Sequence, residues 1–168
     1  MMTLDVIYKL ATVLIAFFNA FFAIKIFHLK SKKNDEEKEQ DRKINLLKTL
    51  VLDHNLENYY DVFDNIENEL MRLLVESEDE SIKEIVDKEL SKLFVDFRRR
   101  FYDSLLGIDE KLYDDIKCQS DELQSYLTET IFDNGVNLSY RPKFEELISE
   151  KLTITKTGVV KTLFDYRG

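Results

Sequence analysis

Apolar and polar positions divide the chain into four stretches. Residues 10–24, LATVLIAFFNAFFAI, carry no charge, and the apolar region runs from Val6 to Leu29, interrupted by Lys9, Lys25 and His28. A helix spanning a bilayer needs about 20 residues at about 1.5 Å each. Val6 to Leu29 meets that length if Lys9 and Lys25 bury their stems and hold their amines at the interfaces. A cleaved signal peptide fits less well: Lys25-Ile-Phe-His-Leu-Lys30 follows the run without a small-residue cleavage site, and Asp5 precedes it. A buried core helix would have to hide Phe17, Phe18, Phe21 and Phe22 around its circumference, in a chain with little core to receive them. The pattern therefore predicts a transmembrane anchor over residues 1–29.

Residues 30–43, KSKKNDEEKEQDRK, contain no apolar side chain. They read as a charged stalk or linker, with Glu36/Gln40 and Glu39/Lys43 at helical i,i+4 spacing. From Ile44 a heptad stripe sets in. Leu52, Leu56, Tyr59, Phe63, Ile66, Leu70 and Leu73 are spaced alternately by four and three, with Ile44, Leu47 and Val51 nearly in phase upstream. The stripe fits one helix of a bundle, and it is too short to establish a coiled-coil oligomer.

Glu76–Glu80 interrupts the stripe. Ser81-Ile-Lys-Glu84 is a capping-box sequence with Ser81 at the N-cap. It predicts a helix over about 82–106, with Ile82, Val86, Leu90, Leu93, Phe94, Phe97, Phe101 and Leu105 on one face and Gly107 in a left-handed C′ position. Asp109 is the expected N-cap of a third helix carrying Leu112, Tyr113, Ile116, Leu123, Tyr126, Leu127 and Ile131, closed by Asp133-Asn-Gly135. Beyond it, Pro142 suits the first turn of a short helix with Phe144, Leu147 and Ile148 inward. The Thr- and Val-rich TITKTGVVKTLFDYRG reads as an extended tail or one or two short strands.

The expected fold is thus all-α: a single N-terminal transmembrane helix, the stalk 30–43, an acidic bundle of three main helices over 44–133, and a less regular segment over 134–168. Scarce Gly (4) and Pro (1) agree with it.

Charge adds an orientation. Residues 1–33 hold five Lys and one acid, Asp5, whereas the remainder holds 19 Lys+Arg against 32 Asp+Glu. Lys25, Lys30, Lys32 and Lys33 flank the apolar run on its C-terminal side and Lys9 alone precedes it. This places the C-terminal domain in the cytoplasm and the span in the inner (cell) membrane. A domain this acidic is expected to bind nucleic acid poorly and to be repelled by anionic lipid. One cysteine, Cys118, excludes an intramolecular disulfide and fits a reducing compartment.

Candidate chemistry is sparse. His28 sits at the edge of the apolar run and His54 on a predicted helix, and neither has the ligand set that zinc needs. Cys118 lacks a nucleophile's signature. Asp114/Asp115 and Asp121/Glu122 are adjacent in sequence and diverge on a helix, so they form no acid/base pair. Four scattered Gly make no phosphate loop. No catalytic, cofactor or metal site is expected. Two groups stand out. Asn19, with Phe17, Phe18, Phe21 and Phe22 around it, is the candidate for association within the membrane. Arg98-Arg99-Arg100, between the inward Phe97 and Phe101, is a basic exception on an acidic domain. It either pairs with nearby acids or anchors an anionic partner. Tyr59, Tyr60, Tyr102, Tyr113, Tyr126 and Tyr140 read mostly as core-edge residues.

The layout resembles small anchored helical proteins of bacterial and phage accessory loci, a likeness that implies no residue roles. Two functions follow as expectations. The first is a non-enzymatic, membrane-tethered module that recruits or senses a cytoplasmic protein of unknown identity. The second is a self-associating effector of a bacterial antiviral-defence or toxin-like system that perturbs the bilayer. Either the span or the heptad helix could join copies into a homo-oligomer.

Overall fold

The structure is a computed structural model that describes residues 2–76 and 79–168. It is all-α, with no strand among the described residues, and divides into two units, residues 1–42 and 43–168.

The first unit is one continuous helix, the greater part of α1 (Met2–Leu47). Residues 30–42 are helical within it. Lys32–Glu36 and Lys33–Glu37 pair one turn apart at 3.8 and 3.7 Å, and Arg42 pairs with Glu39 at 2.6 Å. Such exposed pairs are screened by solvent and add only slightly to the helix in this stretch. Among the described residues no helix is long and apolar enough to cross a membrane. The side chains of residues 1–8, 10–13, 15 and 16, which carry much of the apolar run, lie outside the described set.

The second unit is a helical bundle of α2 (Leu56–Leu70), α4 (Glu80–Arg100), α5 (Glu110–Phe132) and α7 (Glu150–Asp165), with one-turn helices α3 (Leu73–Glu76) and α6 (Arg141–Phe144) at its corners. Helix α2 packs on α4 and α7, and α5 packs on α4 and α7, closing a four-membered ring. Tyr59, Phe63, Ile66 and Leu70 of α2 meet Val86, Leu90, Phe94 and Phe97 of α4 in the core. Leu112, Ile116, Leu123, Leu127 and Ile131 of α5 meet Leu152, Val159 and Leu163 of α7. Rings concentrate at one level. Tyr59 lies 5.0 Å from both Phe63 and Phe101, and Phe97 stacks on Phe101 at 5.3 Å.

Four details correct the expectations from sequence. The bundle has a fourth long helix, α7, in place of an extended tail. Leu152, Thr155, Val159 and Leu163 are buried at spacings of three and four, and that burial overrides the strand preference of the Thr and Val residues. Thr153 and Thr162 hydroxyls donate to Ser149 and Gly158 carbonyls four residues back, which satisfies them within the helix. Gly158 suits the contact with α5, since a Cβ there would stand 3.0 Å from Gln119 Oε1.

The heptad stripe is not one helix. A π-helical turn, Lys48–Leu52, ends with Asp53 N–H on the Lys48 carbonyl, and the Asn55 side-chain amide takes the Leu50 carbonyl. The chain turns at residues 53–55 before α2 begins, and His54 lies exposed in that turn rather than on a helix.

Helix α4 is capped by Asp79, not Ser81. The Asp79 carboxylate accepts from Ser81 N–H at 2.9 Å and from its hydroxyl at 2.7 Å, which holds it below the usual carboxylate range. At the other end α4 stops at Arg100. Residues Tyr102–Gly107 form a 3₁₀ turn that drives Tyr102 and Leu105 into the core, so Gly107 keeps a right-handed backbone and no left-handed cap forms there.

Asp109 caps α5 through Leu112 N–H at 3.1 Å. Asp133 follows the last helical residue, Phe132, and its side chain accepts from Gly135 N–H. Pro142 sits in the first turn of α6.

Candidate functional site

The feature of the first unit that calls for a partner is its bare apolar surface. Leu14, Phe17, Phe18, Phe21, Phe22, Ile24, Ile26, Phe27 and Leu29 are all more than half exposed, Phe17 by 77%. At about 100° per residue, Phe17 and Ile26 project about 180° apart, so the surface encircles the helix. A helix that packs on one neighbour buries a stripe, and one apolar all round needs an apolar surrounding. Leu14, Phe17, Phe18 and Phe21 also line a shallow groove of about 330 Å³ along the helix.

Asn19 is exposed among these residues. Helical geometry brings Phe22, about 60° away, beside it, and leaves Phe17 and Phe21 about 160° away. Phe21 and Phe22 meet edge to face at 6.1 Å. His28 lies beyond them, edge-on to Phe27.

The arginines Arg98, Arg99 and Arg100 form the last turn of α4, all exposed, while Phe97 and Phe101 on either side are buried. Arg98 lies 3.9 Å from Asp103, and Arg99 and Arg100 make no ion pair among the described residues. Their position opposes the partial negative charge of the α4 C-terminus, where a cation contributes about 0.3–1 kcal/mol. Helix capping thus accounts for the triplet in part, and two guanidiniums stay open to solvent.

The remaining candidates are dispersed. Cys118 is exposed and its thiol donates to Glu122 Oε1 at 3.3 Å, an arrangement that pushes the thiol up and keeps it protonated. Asp114 and Asp115 diverge into two separate grooves. Asp114 faces one with Cys118, Asp121 and Glu122, and Asp115 faces another with Lys111, Lys161 and Arg167. No cluster of His, Cys, Asp or Glu able to hold a metal occurs among the described residues. Of the tyrosines, Tyr59 and Tyr102 are buried, Tyr113 and Tyr126 are half-buried, and Tyr60 and Tyr140 are exposed. Tyr59 donates to the Lys156 carbonyl, and burial drives its phenol far above the usual range.

One contact had no signal in the sequence. Lys43, at the start of the second unit, reaches Asp109 rather than Glu39. The two residues are 66 positions apart, and a pairing that distant leaves no periodicity to read.

A scan of family models finds no match to this chain, and searches of curated proteins and of solved structures find none either.

Proposed function

We propose that the chain is a membrane-tethered, non-enzymatic interaction module. In this reading residues 1–29 are a single-pass anchor, and the acidic bundle is held in the cytoplasm to engage a protein partner. The observation that carries it is the apolar surface that encircles α1 from Phe17 to Leu29. It suits lipid on every side better than a one-sided protein groove. The uncharged run of residues 10–24 and the lysines beyond it support the same orientation. The bundle supplies area for a partner: exposed Leu106, Tyr140, Ile154 and Phe164, and the open Arg99 and Arg100.

A second reading, a self-associating effector of a bacterial defence or toxin-like system, is favoured by one observation. Asn19 is a polar side chain exposed within the apolar surface, and in lipid its amide would seek a second helix.

Exchange of residues 1–29 for an unrelated single-span helix tests the two. A tether keeps its fluorescently tagged bundle at the cell envelope and causes no growth arrest with either span. Growth arrest by the native chain, lost on the exchange, would overturn the tether in favour of the effector. Diffuse fluorescence from the native chain would overturn both.

A further inference from the structure

We propose that the outward face of α4 docks on the outward face of α5 in a second copy of this chain. The inference rests on the tether reading above, which gathers copies in one plane, and adds the surface through which they meet.

Ile85, Lys88, Lys92, Val95 and Arg99 recur along α4 at alternating spacings of three and four, which sets them within an arc of about 80°. All five are exposed, Ile85 by 44% and Val95 by 40%. No acid shares that arc between residues 85 and 99, and Glu89 and Asp96 lie on its flank. Lys92 pairs with Glu89 one turn back at 2.5 Å, in the open, and Lys88 and Arg99 make no ion pair among the described residues. Val86, Leu90, Phe94 and Phe97 occupy the opposite, core side of the helix, so the bundle makes no use of the stripe. Helix α5 presents the opposite charge. Asp114, Asp121, Glu122 and Glu129 line a groove of about 580 Å³ on its outer side and outnumber the two ammonium groups there, Lys117 and Lys151.

The two faces match in spacing as well as in sign. Thr128 donates to Asp87 at 2.6 Å and the rings of Tyr102 and Tyr113 lie 5.8 Å apart, so α4 and α5 run antiparallel at fixed levels. On that scale Arg99, Lys92 and Lys88 stand within two residues, about 3 Å of rise, of Asp114, Glu122 and Glu129. The faces belong to neighbouring helices of the ring and point apart, so they do not meet within one copy. Rotation about an axis parallel to the helices sets a second copy alongside without changing level or direction. Each cation of α4 then faces an acid on the α5 of its neighbour, a spacing that a partner of unrelated sequence has no reason to repeat. Exposed ion pairs fix register more than they add affinity. Burial of Ile85 and Val95 and confinement to one membrane supply the rest.

Cys118 is the single cysteine of the chain, exposed in the acidic groove, and Val95 stands within two residues of its level. Two full-length chains with different tags therefore report the contact: wild type, and Val95→Cys/Cys118→Ser. Co-expressed and treated in cells with a short bismaleimide, they should crosslink to each other while neither crosslinks to itself. Adding Lys88→Glu/Lys92→Glu to the second chain should reduce the mixed product at least about tenfold. Asp121→Lys/Glu129→Lys in the first chain should restore it, although against the unreversed second chain the same two changes should suppress it. Absence of the mixed product, self-crosslinking of the second chain at equal yield, or a yield indifferent to charge reversal would overturn the docking. Fractionation of the same cells reads the tether separately. Mixed product in the soluble fraction would overturn the tether and leave the docking, and membrane-bound chains without the product would do the reverse.

Discussion

Lys43 Nζ lies 2.6 Å from Asp109 Oδ2, joining the first residue of the second unit to the N-cap of α5 across 66 positions of sequence. Both side chains are largely withdrawn from solvent, at 26% and 17% exposure. Asp109 does two things at once: one oxygen takes the lysine and the other takes Leu112 N–H. The lysine hydrogen bond is the main reason its carboxyl is held below the usual range, and the Leu112 amide and Tyr166 hydroxyl add to it.

Replacing this carboxylate should therefore cost more than an ordinary surface change. Asp109→Ala removes the cap and leaves a half-buried ammonium without its acceptor, for an expected loss of about 1–3 kcal/mol. Asp109→Asn keeps a cap oxygen and should lose less. Urea denaturation of the three proteins checks the order, and equal midpoints would show that the pair contributes nothing.

The same contact has a pH signature. A carboxyl whose pKa is lower folded than unfolded stabilises the fold above its unfolded value, near 3.9. That contribution is lost as pH falls through the folded value. The stability gap between wild type and Asp109→Asn should be constant from pH 7 to about 5 and shrink below about 4. A gap that widened on acidification would contradict the assignment.

Helix α7 gives the sharpest packing test, because neighbours in sequence differ in burial. Leu163 is 1% exposed and Phe164 is 59% exposed. Leu163→Ala should destabilise the bundle by about 2–5 kcal/mol, and Phe164→Ala should change it by less than about 0.5 kcal/mol. In an extended tail neither substitution would matter, so thermal melts of the pair separate the two arrangements.

Why α7 was hard to read and α5 was not follows from the kind of signal each carries. Helix α5 announces both ends locally: Asp109 caps it, and Asp133 and Gly135 turn the chain after it. Its apolar residues recur at helical spacing among many charged and amide side chains that disfavour strands. Helix α7 carries Thr153, Ile154, Thr155, Thr157, Val159 and Val160, each of which prefers a strand when considered alone, and its helicity comes from α2 and α5 beside it. The break at residues 48–55 was hidden for the opposite reason. Leu47 before it, Val51 within it and Tyr59 after it are all buried, so the stripe continues across a turn that the periodicity cannot see. The capping box pointed to Ser81, and Asp79, two residues earlier, took the role because its carboxylate accepts both the Ser81 amide and the Ser81 hydroxyl. At the candidate site, the apolar run, the lysines beyond it and the exposed Arg98–Arg100 were legible from residue type alone. The angular separation of Asn19 from Phe17 and Phe21 follows only once the helix is laid out.

Asn19→Leu distinguishes anchor from effector. Leu spans a bilayer at least as well as Asn, so a tether should keep its envelope localisation unchanged. Self-association through the amide would instead show as in-membrane crosslinks that decline in the variant, by an amount set by a bond of about 0.6–2 kcal/mol. Crosslinking equal in the two proteins would remove Asn19 from any association.

Alkaline carbonate extraction of membranes from cells expressing the full chain tests whether residues 1–29 cross a bilayer, as proposed. An integral anchor predicts that the chain remains in the membrane pellet after the wash, and that the chain lacking residues 1–29 is recovered in the supernatant. Full release of the intact chain by carbonate would contradict the anchor, as would retention of the truncated chain in the pellet.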